Sequence, residues 1–339
     1  MTTLKDVGRR AGVSASTVSL VLNGRDAGRV QPSISARVRL AARELGYAPN
    51  LVARSLRTNQ SHTIGLLSDQ VASTPFAGQM LQGAQQTAWE AGYLLLLIDT
   101  AGNADLEKPA IQALAQRNID ALIYASTYHR EVALPEVPSG TPFLLLDGRP
   151  AGDAHVDWVA PDEVAGAAAA VEHFVSRGHR RIGFINSGES IPAARGRLEG
   201  YFSALRAAGI EPDDRLISTL TDRSIAATEV SAAALLDLPD RPTAIFCFND
   251  RVAAGLYREA ARRGLSIPRD LSIIGFDDDQ SVIEHLTPSL TTVQLPHRAM
   301  GVWAVERLLD GLRTEGDSTP EGFLMPCRLI VRDSVAPPS

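Results

Sequence analysis

LKDVGRRAGVSASTVSLVLNG, residues 4–24, reads as two short helices and a turn. Thr3 and Asp6 stand three apart in the form of a capping box, and Leu4, Val7 and Ala11 follow at helical spacing. Gly12 can take the positive φ of a sharp turn, Val13 points inward, and Ser14 can cap a second helix whose inner side carries Val18, Val21 and Leu22. Two short helices joined by a glycine turn make a helix-turn-helix. Ala15, Ser16, Ser19 and Leu20 fall off the apolar stripe, and small or polar side chains there let a helix sit deep in a major groove. A plain αα-hairpin at the edge of a core would have the same apolar pattern; the charge around it separates the two readings.

Residues 1–60 hold ten basic side chains against Asp6, Asp26 and Glu44, so this segment carries +7. The whole chain is −6, which leaves −13 on the other 279 residues. A basic head on an acidic body is the asymmetry expected of a polyanion binder. At 339 residues and 45% hydrophobic, the chain has room for a small head plus one large or two medium cores. Lys5, Asp6, Arg9 and Arg10 stand where a secretion signal needs an apolar run, and the strongly apolar run Leu94 to Ile98 is too short to span a bilayer. The expected location is the cytoplasm, on the nucleoid when DNA-bound, with no membrane partner. Cys247 and Cys327 form no CxxC pattern and read as buried free thiols.

After a glycine-bearing polar turn, Asn23 to Val30, Pro32 suits a first helical position. Ile34, Val38, Ala41, Ala42 and Leu45 make the inner face of that third helix, and Gly46 ends it. The stretch from Pro49 is helix-compatible but only about two turns long, too short to be stable alone in water. It is either a linker or a helix that forms on contact.

From Thr63 onward, short apolar strands (IGLLSD, LLLLIDT, ALIYAST, FLLLDG, IGFINS, AIFCFND, SIIGFDD) alternate with helical patterns. Such alternation gives α/β lobes with parallel sheets, and the number of repeats suits two. LMPCRLIVRDS reads as one final strand, and the chain is expected to recross between lobes near Val159, Leu290 and Glu321. The expected division is a head at 1–48, a hinge at 49–61, a first lobe at 62–159 with 290–320, and a second lobe at 160–289 with 321–339.

Several strands end in a polar residue: Asp69, Asp99, Ser126, Asp147, Asn186, Asn249 with Asp250, and Asp277 with Asp278. Ligands of open parallel sheets bind beyond the carboxyl ends of strands, so these groups would line a cleft suited to hydroxyl-rich solutes. Asp69 and Asp99 are instead expected to cap the helices that follow. No GxGxxG, P-loop, GxSxG or HExxH occurs, and Asp277, Asp278 and Asp279 lack the companions a metal site needs. No catalytic residue, cofactor or metal is therefore assigned, and the chain is not read as an enzyme.

Taken in order, LKDVGRRAGVSASTVSLVLNG, ARELGYAPNLVARSL, GHRRIGFI, RLEGYFSAL, PTAIFCFNDRVAAGL, GLSIPRDLSIIGFDD and LTPSLTTV resemble the LacI/GalR family of bacterial transcriptional regulators over nearly the whole chain. The resemblance implies a helix-turn-helix head and a two-lobed body similar to periplasmic sugar-binding proteins. It implies a homodimer on a roughly palindromic double-stranded operator, and a small effector, a sugar or sugar phosphate. Carried over by position, it implies operator contacts for Ser14, Ala15, Ser16, Thr17 and Leu20. It further implies a minor-groove hinge helix bearing Asn50, Val52, Ala53 and Leu56, and effector contacts for Phe76, Asp147, Arg197, Asn249 and Asp277. The function implied is repression of a carbohydrate-utilisation operon; a sugar-binding protein without a DNA role would leave the basic head unexplained. The sequence departs from the family in carrying Leu at position 20, where a polar or basic base reader is common, and in Leu295, where many members have glutamine. An absence of apolar heptads after the last strand favours a dimer over a tetramer.

If Leu56 wedges between base pairs, Leu56→Ala should lower affinity for operator strongly while leaving random-DNA binding and effector binding unchanged. Parallel titrations on both DNAs check this; equal losses on the two would reduce the segment to a tether.

Overall fold

The computed structural model describes residues 2–47, 60–71, 74, 78–222, 224–314 and 319–339. Asn50, Val52, Ala53, Leu56 and Phe76 lie outside the described residues. The chain divides into two compact units, residues 1–61 and 62–339.

In the first unit, α1 (Leu4–Ala11) has the expected capping box, with Thr3 accepting from the Asp6 amide and Asp6 reaching back. Gly12 then takes φ 68° and Ser14 caps α2 (Ala15–Leu22) by accepting from the Thr17 amide. The third helix, α3 (Pro32–Glu44), opens on Pro32. Val7, Ala11, Val18, Val21, Val38, Ala41 and Ala42 close into one small core. Each helix alone is near or below the length stable in water, so this shared burial holds them.

The second unit contains two six-stranded sheets. The first lobe has strand order β11-β5-β4-β3-β1-β2, all parallel. Its strands are β1 (Thr63–Ser68), β2 (Leu94–Asp99), β3 (Ala121–Val132), β4 (Phe143–Pro150), β5 (Asp157–Pro161) and β11 (Gly322–Met325). The second has order β12-β10-β9-β8-β6-β7, parallel except where β12 runs against β10. These are β6 (Ile182–Ser187), β7 (Ile217–Leu220), β8 (Ala244–Cys247), β9 (Ser272–Asp277), β10 (Thr291–Gln294) and β12 (Arg328–Ile330). Helices α4 (Gly78–Glu90), α5 (Glu107–Ala115) and α11 (His297–Arg313) cover the first sheet. The second is covered by α6 (Glu163–Ser176), α7 (Pro192–Ala207), α8 (Ile225–Leu236) and α9 (Asp250–Arg262), with the short α10 (Gln280–Ile283) following β9. Apolar alternation of strand and helix thus gives two doubly covered sheets, as the pattern requires.

The lobe crossings correct the sequence reading. The first lies at Asp162, close to the expected Val159. The segment after Leu290 does not enter the first lobe: β10 pairs with β9, Val293 beside Phe276, and the chain crosses only between Gln294 and His297. Nor is LMPCRLIVRDS one strand. Its first part, in β11, pairs with β5, and its second, in β12, pairs with β10, so the third crossing falls at Pro326-Cys327 rather than near Glu321. Proline has no N–H to give a ladder, which is why the strand breaks there. Both lobes use the same strand composition, so nothing in the residues marks which sheet a strand joins. Trp158, on β5, packs against Gly322 of β11 and the core around Tyr124 and Leu145.

Helices α4 and α11 meet through Gly83 and Gly301; a Cβ on Gly301 would overlap the Met80 carbonyl oxygen. Gly301→Ala should therefore cost about 1–3 kcal/mol by overpacking, read as a lower urea midpoint for the body with an unchanged m-value.

Candidate effector cleft and DNA-binding head

On the head, the hydroxyls of Ser14, Ser16 and Thr17 gather at the start of α2, Ser14 Oγ lying 2.7 Å from Ser16 Oγ and 2.9 Å from Thr17 Oγ1. Ser16 is exposed, and Ala15, Thr17, Ser19 and Leu20 are half-buried. Five candidate operator contacts (Ser14, Ala15, Ser16, Thr17 and Leu20) thus sit on or cap one short helix. Some head arginines are spent internally: Arg10 pairs with Glu44 at 2.7 Å, Arg39 with Asp26 at 2.8 Å, and Arg37 donates to the Ala11 carbonyl at 2.9 Å. Lys5, Arg25, Arg29 and Arg43 carry no ion pair among the described residues, which leaves them for phosphates.

In the body, carboxyl ends of strands from both lobes converge as expected, but the roles divide differently. Asp69 caps no helix among the described residues. Its Oδ1 accepts from the Thr127 amide at 2.9 Å and the Thr127 hydroxyl at 2.7 Å, while Oδ2 accepts from Arg130 at 2.6 Å. It thereby holds a bulge in β3, where the pairing register with β4 shifts between Ala125 and Arg130 and Tyr128 takes φ 65°. Asp99 likewise caps no helix: it accepts from Ser68 Oγ and from the Ala101 amide. For Asp99 the reason is spacing, since the next helical turn begins only at Ala104 and is capped by Asn103. Ser126 donates to the Asp147 carbonyl and Asn186 donates to the Ala194 carbonyl, so both serve the backbone. Asn249 caps α9 through the Val252 amide.

Arg197 is 3% exposed. Its Nε donates to Glu163 at 2.7 Å, one terminal nitrogen donates to the Phe248 carbonyl, and the other lies 3.7 Å from Asp277 Oδ1. The rings of Phe248 and Phe276 flank the guanidinium, with centroids 4.5 and 3.7 Å away. A buried guanidinium survives only with such pairing and cation–π contact. Although burial favours the neutral acid, the Arg197 charge holds Glu163 down at about 2.

Asp147 has no such relief. It is 2% exposed, its Oδ1 has no hydrogen-bond partner, and it sits at φ 59°. Burial, with the charges of Glu163 and Asp69 added, pushes its carboxyl well above the ordinary range. Asp277 is pushed up too, by burial, against the pull of Arg197. Asp250, fully buried beside Thr292 Oγ1 and the Asp279 amide, is pushed up by burial to about 7. Two residues that the sequence did not single out complete the floor. Glu163 begins α6, and His129, 6% exposed, places Nδ1 3.8 Å from Glu163 Oε1 with neither ring nitrogen hydrogen-bonded. The spacing of His129 in TYHREV carries no ligand signal; only the bulge turns it inward. At the rim, Glu131 of the first lobe bonds Arg149 of its own lobe and Arg195 of the other, both at 2.9 Å.

A head that presents a polar helix on a basic unit, joined to two lobes that bring buried carboxylates and an arginine to one cleft, defines a ligand-responsive DNA-binding protein. Residues 3–50 match the model of bacterial regulatory proteins of the lacI family, and residues 171–335 match the periplasmic binding protein-like domain. The chain is 35% identical to the HTH-type transcriptional repressor CytR of Escherichia coli K12 over 333 residues, covering 98% of this chain and 96% of the relative. It is also 35% identical to the ribose operon repressor of the same strain, covering 91% and 92%. A crystal structure of the Lac repressor dimer bound to operator and the anti-inducer ONPF superposes with a TM-score of 0.78 at 26% identity, covering 99% of both chains. The chain therefore belongs to the lacI family of bacterial regulatory proteins, and it is a ligand-responsive transcriptional regulator.

The unpaired carboxylate gives a test that needs no ligand. Because the folded-state pKa of Asp147 lies above its unfolded value, its contribution to stability is lost as pH rises above about 4. Asp147→Asn, which keeps the shape and tolerates positive φ, should therefore melt a few degrees above wild type at pH 8, with the gap closing toward pH 4. Thermal melts across that range check it; a variant less stable at pH 8 would mean that the carboxylate is paired.

Proposed function

We propose that this protein is a cytoplasmic homodimeric repressor of genes for the use of a sugar or a sugar-bearing compound, released from or locked onto its operator by that compound. The observation that carries the reading is the meeting of Arg197, Asp277 and Asp147, from both lobes, at the carboxyl ends of parallel strands. Such a cleft holds a polar solute between lobes whose closure the solute can bias. Ser14, Ala15, Ser16, Thr17 and Leu20 read the operator, Leu20 by apolar contact with a thymine methyl rather than by hydrogen bonds to guanine. Asn50, Val52, Ala53 and Leu56 form the hinge contacts in the minor groove, and Phe76 and Asn249 join the effector contacts.

Homodimerisation is supported by apolar side chains exposed on the body. Ile225 and Val230 on α8 are 61% and 70% exposed, and Leu94 and Leu97 stand out on the edge strand β2. Surface of this kind is covered in an assembly rather than left to water. The relatives named for repression and for the ribose operon support the repressor reading and the carbohydrate class.

A thermal-shift screen of sugars and nucleosides, followed by operator binding with and without each hit, tests the whole proposal. Asp277→Ala should weaken the hit about 10–100-fold, the loss of one charge-assisted partner, and leave operator affinity in its absence unchanged. Full ligand affinity in that variant would remove Asp277 from the site.

A further inference from the structure

Strand β9 runs out into three successive aspartates, and each is held by a different partner. Asp277 faces Arg197, whose terminal nitrogen lies 3.7 Å from its Oδ1. Asp279 accepts from the Ser281 amide at 3.1 Å to open α10, and its own amide donates to the buried Asp250 at 2.8 Å. Asp278, 8% exposed, accepts from Gln294 of β10 at 2.9 Å and from Arg332 at 2.7 Å. The turn needs this holding. Asp277 and Asp278 take φ 110° and 59°, where an L side chain stays only when its surroundings fix it. Arg332 reaches the turn from the segment after β12. Its other terminal nitrogen donates to the Leu290 carbonyl and its amide donates to Thr291 Oγ1, both at 2.9 Å. That segment is itself immobilised, because the fully buried Ser334 donates to the Ile273 carbonyl at 2.6 Å and accepts from the Thr291 amide at 2.8 Å. A carboxylate buried as far as Asp278 needs a cation beside it, and among the described residues that cation is Arg332.

We propose that Arg332 is a positioning residue for the effector cleft: by fixing Asp278 it keeps the neighbouring Asp277 turned toward Arg197, so that effector affinity depends on a side chain whose own hydrogen bonds go to Leu290 and Asp278. Without the guanidinium, Asp278 swings toward water, the strained turn relaxes, and Asp277 loses its fixed place. A lysine at this position could neutralise Asp278 but could not bond the Leu290 carbonyl and the carboxylate with one planar fork. The inference rests on the proposed role of Asp277 as an effector contact.

The test uses the full chain and two readouts. The first, amide hydrogen exchange without any ligand, should show residues 278–283 exchanging about 10-fold faster in Arg332→Met than in wild type, with β6 and β8 unchanged. The second is isothermal titration with ribose, glucose, adenosine and cytidine as probes. A probe that binds wild type should bind Arg332→Met about 10-fold more weakly, with Arg332→Lys in between. Because Arg332 acts through Asp277, adding Arg332→Met to Asp277→Ala should change affinity by less than about 2-fold further, a non-additivity that a general loss of stability would not produce. Asp278→Asn loosens the same contact from the other side and should reproduce Arg332→Met, so the comparison stands if one of the two variants does not fold. Unchanged exchange in the turn overturns the positioning role, and so does an equal loss of affinity with and without Asp277. If none of the four probes binds wild type, the failure falls on the effector reading and takes the affinity half of this inference with it, while exchange still decides whether Arg332 holds the turn.

Discussion

The body is built around one buried positive charge. Removing a guanidinium from water costs several kcal/mol unless carboxylates, carbonyls and ring faces take the place of the solvent. Arg197 finds all three: Glu163 at the start of α6, the carbonyl of Phe248 after β8, and Phe276 with Asp277 at the end of β9. One side chain on α7 therefore fixes the relative positions of a neighbouring helix and two strand ends. The floor of the second lobe is rigid because the charge cannot be left unpaired.

Across the cleft the first lobe is arranged on the opposite principle. Asp147 Oδ1 is buried without a hydrogen-bond partner, His129 Nδ1 faces Glu163 Oε1 at 3.8 Å, and the bulge that turns His129 inward is secured from outside by Asp69, which ties the Thr127 backbone and Arg130. Polar groups fully satisfied on one side face groups left wanting on the other. A solute that donates a hydrogen bond to Asp147 Oδ1 recovers part of the desolvation cost already spent in folding. That is a physical basis for linking occupancy to lobe closure. The Glu131 bridge between Arg149 and Arg195 adds an exposed contact across the rim; as a surface ion pair it guides alignment more than it supplies energy.

Three crossings join the lobes, and their placement explains why two separate sheets behave as one ligand-binding body. Strand β12 runs antiparallel at the edge of the second sheet while β11, a few residues earlier, completes the first. The same short segment is thus stitched into both lobes on either side of Pro326 and Cys327. Motion of one lobe against the other bends these crossings rather than breaking the ladders.

The sequence by itself determined the head in detail. The capping box at Thr3 and Asp6, the turn at Gly12, the cap at Ser14 and the opening of α3 at Pro32 are all local, set by backbone conformation and hydrogen bonds within a few residues. It also determined the parallel α/β layers, because strand and helix periods differ, and it picked out Arg197, Asp147 and Asp277 through motif order. What only tertiary structure decided is everything that depends on which strands become neighbours. The sheet membership of β10 and β11 was set by pairing partners that the residues do not name. Asp69 became the anchor of a bulge, and Asp99 became a loop anchor rather than a helix cap because the next helical turn begins only at Ala104. His129 and Glu163 came into the cleft through a register shift and a lobe crossing. These are long-range outcomes of packing: no residue type marks them, since the same aspartate, histidine or strand is stable in several local settings and only burial against a particular neighbour selects one.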